Sequence, residues 1–343
     1  MGMADNHIIR HPDRPEVPSV RLSVVIVNWN SAAYVRGSIN SIYEFTKGLP
    51  LEIIVIDNAS FDGCGEMLAR EFPKVVYLQS QENLGFAKAN NLAAAHAHGG
   101  VLLFLNPDTL LSGPAIEVLY KHLFSMPNAG AVGARLLNRD GSVQTSCVQS
   151  FPTILNQALD SEFLHRVFPN WSIWGTAPLL ATKPVPAQAV SGACVMVKRE
   201  VFDQIGGFSN VYFMYGEDLD LCFKVRKAGR FVYHVPEATF VHFGGGSSRT
   251  ISNFSHVMMR ESVWLFFHYN YGPASAFTYR VSMAAVSIPR IILLLAVLPI
   301  RGFAPLGKWL SIFRWSLGQD EQARKAPLCS PRSRNATATA TAL

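Results

Sequence analysis

Leu22-Ser-Val-Val-Ile-Val-Asn-Trp-Asn30 decides the fold. Its first six residues are apolar apart from Ser23 and rich in β-branched side chains. That is the pattern of a short strand covered on both faces, as in a parallel sheet. The residues just after the run narrow the fold further. A dinucleotide fold would place GxGxxG there, and a P-loop would need GxxxxGK[ST]; Val27-Asn-Trp-Asn30 is neither.

Outward from this run, strand and helix patterns alternate. Leu51–Ile56, Val75–Leu78 and Val101–Leu105 read as further buried strands. Helices are predicted over Ser31–Thr46, with Ser31 as cap, and over Gly65–Phe72, Gly85–His98 and Pro114–Ser125. This βαβα order argues for a mainly parallel, right-handed, Rossmann-like sheet with flanking helices. Ala131–Leu137 and Gln188–Lys198 read as later strands, and Phe231–His234 and Thr239–Phe243 as two short ones. Between them, residues 151–186 are rich in Pro, Trp and Phe without clean periodicity, as expected of a functional or mobile insertion.

Acids stand where these strands end. Asp57 follows Ile53-Ile-Val-Ile56, and Asn106-Pro-Asp108 follows the fourth strand. An open α/β sheet builds its ligand site at the carboxyl ends of its strands. Asp57 there can accept from a base or ribose hydroxyl, although an Asp at such a place also starts turns. Pro107 presents Asp108 on a stiff turn. One carboxylate plus substrate phosphate oxygens is the usual way to hold Mg²⁺ or Mn²⁺, and His242 is a candidate second ligand that suits Mn²⁺ better. Gly85, in Asn83-Leu-Gly-Phe-Ala87, allows close backbone approach, and the helix it opens favours a phosphate. Tyr215-Gly-Glu-Asp-Leu-Asp220 sets Glu217, Asp218 and Asp220 in the first turn of a helix, where negative charge is favoured.

Composition narrows the class. Apolar residues make up 49% and charged ones 16%, which points to a membrane surface. From Arg280 onward nine Lys/Arg face two acids, a balance of +7 within a total of +6, so the preceding residues sum to −1. Basic charge beside apolar sequence suits anionic lipid better than nucleic acid, and no nucleic-acid motif is present. Five cysteines without CxxC spacing argue against a disulfide framework or structural zinc and fit a reducing compartment. Residues 1–20 lack an apolar signal core and are expected to be a disordered leader. Residues 21–250 form the expected α/β domain, 251–318 a helical membrane-associating region, and 319–343 a disordered tail. In the apolar window Ser282–Ile300, Pro289 and Arg290 leave the uninterrupted run Ile291–Ile300 too short to span a bilayer. Helices lying in the interface are the expectation.

Seven motifs, in order, carry a resemblance: Val24-Val-Ile-Val-Asn-Trp-Asn30, Val55-Ile-Asp-Asn-Ala-Ser60, Asn83-Leu-Gly-Phe-Ala87, Phe104-Leu-Asn-Pro-Asp108, Ser191-Gly-Ala-Cys194, Gly216-Glu-Asp-Leu-Asp220 and Val241-His-Phe-Gly244. The stretch from Leu22 to Ser248 resembles family 2 glycosyltransferases, and within them bacterial rhamnosyltransferases of cell-wall and O-antigen assembly. The resemblance implies a GT-A fold and inverting transfer from a nucleotide-diphosphate sugar. It makes Asp57 a base or ribose contact. Asn28, Asn30, Asn83, Gly85, Phe86, Asn106 and Gly192 become the other positions lining the nucleotide-sugar pocket. Asp108 matches the last acid of the DxD motif, whose first acid is replaced here by Asn106, and His242 matches a metal-binding histidine. Asp218 matches the general base, with Glu217 beside it binding acceptor or fixing geometry.

Inversion in one displacement needs a carboxylate to take the acceptor's proton, and two further acids beside Asp218 are expected to raise its proton affinity. The expected enzyme is a rhamnosyltransferase using dTDP-L-rhamnose, cytoplasmic and peripheral on the inner face of the cell membrane. Its acceptor would be a polyprenyl-diphosphate-linked saccharide, over which residues 151–186 would close. Galactofuranose and N-acetylhexosamine donors, and a homo-oligomer, stay open. A sugar nucleotidyltransferase would carry a Gly-rich basic loop after the first strand. A non-catalytic lipid- or sugar-binding scaffold would have no need of Asp108, Asp218 and His242 together.

Overall fold

The computed structural model describes residues 20–160, 162–168, 171–244 and 253–319; the expected leader up to Ser19, and the expected tail beyond Gln319, lie outside these. The chain opens β1 (Leu22–Asn28), α1 (Ala32–Phe45), β2 (Leu51–Asn58), α2 (Cys64–Glu71), β3 (Val76–Ser80), α3 (Gly85–Ala94) and β4 (Val101–Leu105). Strands β3, β2, β1 and β4 lie side by side and parallel. Every residue of β1 is buried, as its unbroken apolar run requires.

The sheet then changes direction. After β5 (Thr109–Leu111), α4 (Ala115–Ser125) and β6 (Ala129–Leu137) come β7 (Val148–Gln149), α5 (Ile154–Leu159), α6 (Glu162–Val167), β8 (Val185–Ala187) and β9 (Ala189–Val190). They lead into β10 (Cys194–Lys198), α7 (Arg199–Gln204), α8 (Glu217–Lys227) and β11 (Phe231–His242). Strand β10 runs antiparallel between β4 and β6, and β11 lies parallel to β6 and antiparallel to β5. Because β10 is reversed, its amino end meets the carboxyl end of β4, with Cys194 opposite Leu105. That meeting point is the floor of the site. Ile26, Ile54, Leu103, Phe104 and Val195 are fully buried in the core between sheet and helices, each worth about 1.5–3 kcal/mol of burial.

Local details differ from the expectations. Ser31 makes no side-chain cap to α1; its hydroxyl donates to the Trp29 carbonyl. The Ala32 N–H is instead taken by the carboxylate of Asp62, from the loop after β2, at 2.9 Å. Gln188–Lys198 is two strands, β9 and β10, parted by Ser191-Gly-Ala193. The two expected strands near the end are one, β11, with an irregularity between Val235 and Thr239, where Pro236 has no N–H to give the ladder. The insertion at 151–186, without clean periodicity in sequence, carries short helices, with Thr153 and Asn156 forming a capping box on α5.

After the sheet come α9 (Asn253–Tyr271), α10 (Pro273–Ala296), α11 (Leu298–Arg301) and α12 (Phe303–Ser316). They pack on a second core of Val257, Phe267, Ala276, Tyr279, Met283 and Trp315. Pro289 lies inside α10 without ending it, so the continuous apolar helix is longer than the run the sequence suggested. By length and composition alone, α10 is long and apolar enough to cross a membrane.

Candidate active site

Three groups of side chains line the edge where β1, β2 and β4 end and β10 begins. The first surrounds Asp57, which sits opposite Asn28 in the β1–β2 register. Both are fully buried. The Asn28 amide donates to Asp57 Oδ2 at 3.0 Å and to Asp62 Oδ1 at 3.0 Å, while Ser60 N–H donates to Asp57 Oδ1 at 2.7 Å. Asn28 therefore orients Asp57. Asn30, Ala59 and Phe61 hold left-handed φ values of 53, 62 and 51° in the two loops that frame this pair. Such conformations cost energy and gather at sites where geometry is imposed.

Asn83 continues the row. Its Oδ1 accepts from Asn58 Nδ2 at 2.8 Å and from Gly85 N–H at 2.9 Å. Gly85 has φ +75°, and a Cβ there would lie 2.4 Å from the Phe213 carbonyl oxygen. The same carbonyl accepts the Phe86 N–H at 3.0 Å, and the Phe86 ring meets Phe208 edge-on at 6.0 Å. Gly85 and Phe86 thus seat the 207–216 loop that leads into α8, in addition to any contact with a ligand.

The second group is Asn106, Asp108 and His242. His242 Nε2 lies 3.3 Å from Asp108 Oδ1 and 3.4 Å from Asn106 Nδ2. Strand pairing sets this meeting: His242 is opposite Thr109, and Phe243 N–H bonds the Asp108 carbonyl at 2.9 Å. Among the described residues no group of three or more His, Cys, Asp or Glu is placed to hold a metal ion.

The third group is the acidic start of α8, where the three carboxylates have three different surroundings. Asp220 accepts from Ser209 Oγ at 2.5 Å and Asn270 Nδ2 at 3.0 Å, with Lys224 at 3.6 Å. It ties loop and C-terminal helices to α8. Asp218 Oδ2 accepts from Gly192 N–H at 2.9 Å and Gln149 Nε2 at 3.1 Å, and Oδ1 accepts from Leu219 N–H at 2.8 Å. Glu217 is buried, and its Oε2 has no hydrogen-bond partner among the described residues.

Burial raises the Asp218 pKa against the pull of these donors. Burial first, and then the charge of Asp218, pushes Glu217 up to about 8. The expectation that neighbouring acids lift Asp218 is thus corrected: desolvation lifts Asp218, and repulsion acts on Glu217. The second and third groups are joined by the Asn106 N–H to Ala193 carbonyl bond of 2.9 Å, one residue from Gly192.

Sequence reading missed Asp62, Gln149 and Gln144, whose Oε1 lies 2.9 Å from His242 Nδ1. Asp62 carried a signal, an acid shortly after a strand; the two glutamines carried none, because their partners are remote in the chain.

Comparison with known proteins shows the family and the fold. The profile described as glycosyl transferase family 2 matches residues 23–206, and that described as the N-terminal domain of galactosyltransferase matches 181–244. The chain is 31% identical over 238 residues to the N-acetylglucosaminyl-diphospho-decaprenol L-rhamnosyltransferase of Mycobacterium tuberculosis, covering 64% of this chain and 75% of that one. It is 26% identical over 176 residues to the rhamnosyltransferase WbbL of Escherichia coli K12, covering 48% and 63%. Its fold is similar to that of a mannosyltransferase from Pyrobaculum calidifontis in complex with GDP-Man and Mn²⁺, with TM-score 0.52, 18% identity and 90% and 88% coverage. With its sheet, its strand-end acids and a profile match over more than half its length, the chain belongs to glycosyl transferase family 2.

Proposed function

We propose that this glycosyltransferase moves L-rhamnose from dTDP-L-rhamnose, with inversion, onto a polyprenyl-diphosphate-linked saccharide. The observation that carries the mechanism is the clamp on Asp218. Oδ2 is occupied by two donors, whereas among the described residues Oδ1 accepts only from the adjacent Leu219 N–H. Oδ1 therefore keeps capacity for a proton. The acceptor hydroxyl loses its proton to Asp218 as its oxygen attacks the anomeric carbon, and the bond to the nucleotide diphosphate breaks on the opposite face. A pKa raised by burial suits that transfer near neutral pH.

Asp108 and His242 fit a divalent cation of the Mg²⁺ or Mn²⁺ kind: a carboxylate and an imidazole meet at 3.3 Å, leaving the donor diphosphate and water to complete the shell. When bound, such an ion would neutralise charge developing on the leaving diphosphate. The donor assignment rests on the relatives' names and on a site that suits a nucleotide sugar; UDP-galactofuranose and UDP-N-acetylhexosamines are the competing donors.

The acceptor reading draws support from α10. Phe277, Val281, Ile288, Ile292 and Leu295 form an exposed stripe without a charge. Both arginines of α10 turn away from it: Arg280 stacks over Trp264 and Trp315, and Arg290 over Trp309, donating also to the Ala158 carbonyl. The other face packs on α9 and α12, so the helix would lie in the cytoplasmic leaflet surface rather than span it. The test is incubation of purified protein with Mg²⁺ or Mn²⁺, each candidate donor in turn and a membrane lipid extract. Transfer from dTDP-L-rhamnose alone supports the assignment; transfer only from another donor overturns the sugar and keeps the mechanism.

A further inference from the structure

The orientation of His242 is fixed by a chain of hydrogen bonds that starts on the exposed hairpin after β6. An Asp140 carboxylate can only accept, and Ser142 Oγ donates to its Oδ1 at 2.6 Å; the Ser142 bonds hold that carboxyl below its ordinary range. With its proton so placed, Ser142 Oγ accepts from Asn138 Nδ2 at 2.9 Å. Asn138 Oδ1 must then face outward, and it accepts from Gln144 Nε2 at 2.9 Å. The same Nε2 donates to the His242 carbonyl at 2.7 Å, an atom that can only accept. Two independent acceptors thus set the Gln144 amide, and its Oε1 is the atom turned to His242 Nδ1 at 2.9 Å. An oxygen acceptor there requires the proton on Nδ1. Nε2 faces Asn106 Nδ2 at 3.4 Å and Asp108 Oδ1 at 3.3 Å, and in the Nδ1–H tautomer it carries the ring's lone pair.

We infer that Gln144 is a positioning residue that holds His242 as the Nδ1–H tautomer, so that Nε2 and Asp108 together present two lone pairs to one cation. The metal half of this inference rests on the reading of Asp108 and His242 given above; the tautomer half does not. Partners of this kind on a ligating histidine fix ring orientation and raise ligand basicity, and losing one costs roughly 10–100-fold in metal affinity. The hairpin is braced for the task by its own backbone, with Asn138 N–H to the Ser142 carbonyl at 2.8 Å and Gln144 N–H to the Leu136 carbonyl at 2.8 Å.

The experiment is long-range ¹H–¹⁵N correlation NMR of the His242 ring, without metal and at alkaline pH, in wild type, Gln144→Leu and Gln144→Glu. The same three proteins are then titrated with Mn²⁺ by electron paramagnetic resonance, with Mn²⁺ alone and with Mn²⁺ plus thymidine diphosphate. The expected result is an Nδ1–H ring in wild type and in Gln144→Glu, which keeps the acceptor, and a mixed or reversed tautomer in Gln144→Leu. Mn²⁺ affinity should fall about tenfold or more in the leucine variant and recover in the glutamate variant. An Nε2–H ring in wild type, or an unchanged tautomer in Gln144→Leu, overturns the inference. A changed tautomer with unchanged Mn²⁺ affinity overturns its metal half. If wild type binds no Mn²⁺ under either condition, the metal reading of Asp108 and His242 fails, while the tautomer result stands on its own.

Discussion

Asp218 and Gly192, 26 residues apart in the chain, are joined by a backbone N–H to carboxylate hydrogen bond of 2.9 Å. The bond lashes the first turn of α8 to the turn that opens β10, and β10 pairs with β4 just before Asn106 and Asp108. The proposed base and the proposed diphosphate-binding acid are therefore held by one piece of sheet.

A methyl group at Gly192 tests that attachment. Its Cβ would lie 3.2 Å from Asp218 Cβ, a contact that moves the carboxylate by a few tenths of an ångström without unfolding the turn. Gly192→Ala should lower kcat roughly tenfold, since misplacement on this scale is costly in catalysis, and leave the melting temperature within a few degrees. An unchanged kcat would show that the clamp does not position the base.

Glu217 makes stability depend on pH in an unusual direction. Its pKa is raised from 4.5 to about 8 in the folded protein, so between those values the native state binds a proton that the unfolded chain has released. Stability should fall as pH rises from about 4.5 to 8, by as much as a few kcal/mol. Urea denaturation of wild type and Glu217→Gln should show the variant gaining on wild type across that range. The acid limb of activity should stay in place in Glu217→Gln, because Glu217 keeps its proton while Asp218 loses its own. A flat wild-type activity profile from pH 5 to 9 would count against a raised Asp218.

His234 acts with the opposite sign. It is fully buried in β11 with neither ring nitrogen bonded among the described residues. Burial and then Arg135 push its pKa down to about 4. The unfolded chain takes up a proton below about 6.5 that the native state refuses, so stability is lost as pH falls from about 6.5 toward 4, by up to about 3 kcal/mol. His234→Phe should flatten that limb of the acid denaturation curve; an identical limb in both proteins would assign acid lability elsewhere.

The stripe on α10 predicts where lipid is met. Ile288→Asp with Ile292→Asp should reduce co-sedimentation with anionic vesicles at least tenfold, each exposed apolar side chain contributing about 1–3 kcal/mol when buried in lipid. The melting temperature should hold, because both residues are about half or more exposed in the folded protein, at 48% and 63%. Undiminished vesicle binding would remove α10 as the docking face.

The parts of this molecule that could be read from sequence are those whose meaning is local. The apolar run before Asn28 is a buried strand wherever it lands, and Pro107 stiffens the turn that carries Asp108 whatever lies opposite. Glu217, Asp218 and Asp220 do open a helix. Their separate fates were not readable, because each depends on a partner far away: Gly192 and Gln149 for Asp218, Ser209 and Asn270 for Asp220, and for Glu217 Oε2 the lack of one among the described residues. Likewise Asn28 reads as a pocket residue, and only the register of β1 with β2 reveals that its amide serves Asp57.

Asp218 as general base is tested most directly by sugar transfer from dTDP-L-rhamnose into lipid extract, comparing wild type with Asp218→Asn, which keeps the size and most hydrogen bonds of the side chain. Wild type should give a linkage of inverted anomeric configuration, and the variant a rate at least about 10²-fold lower, with folding and nucleotide binding intact. Equal rates from the two proteins would contradict Asp218 as the base and the mechanism built on it.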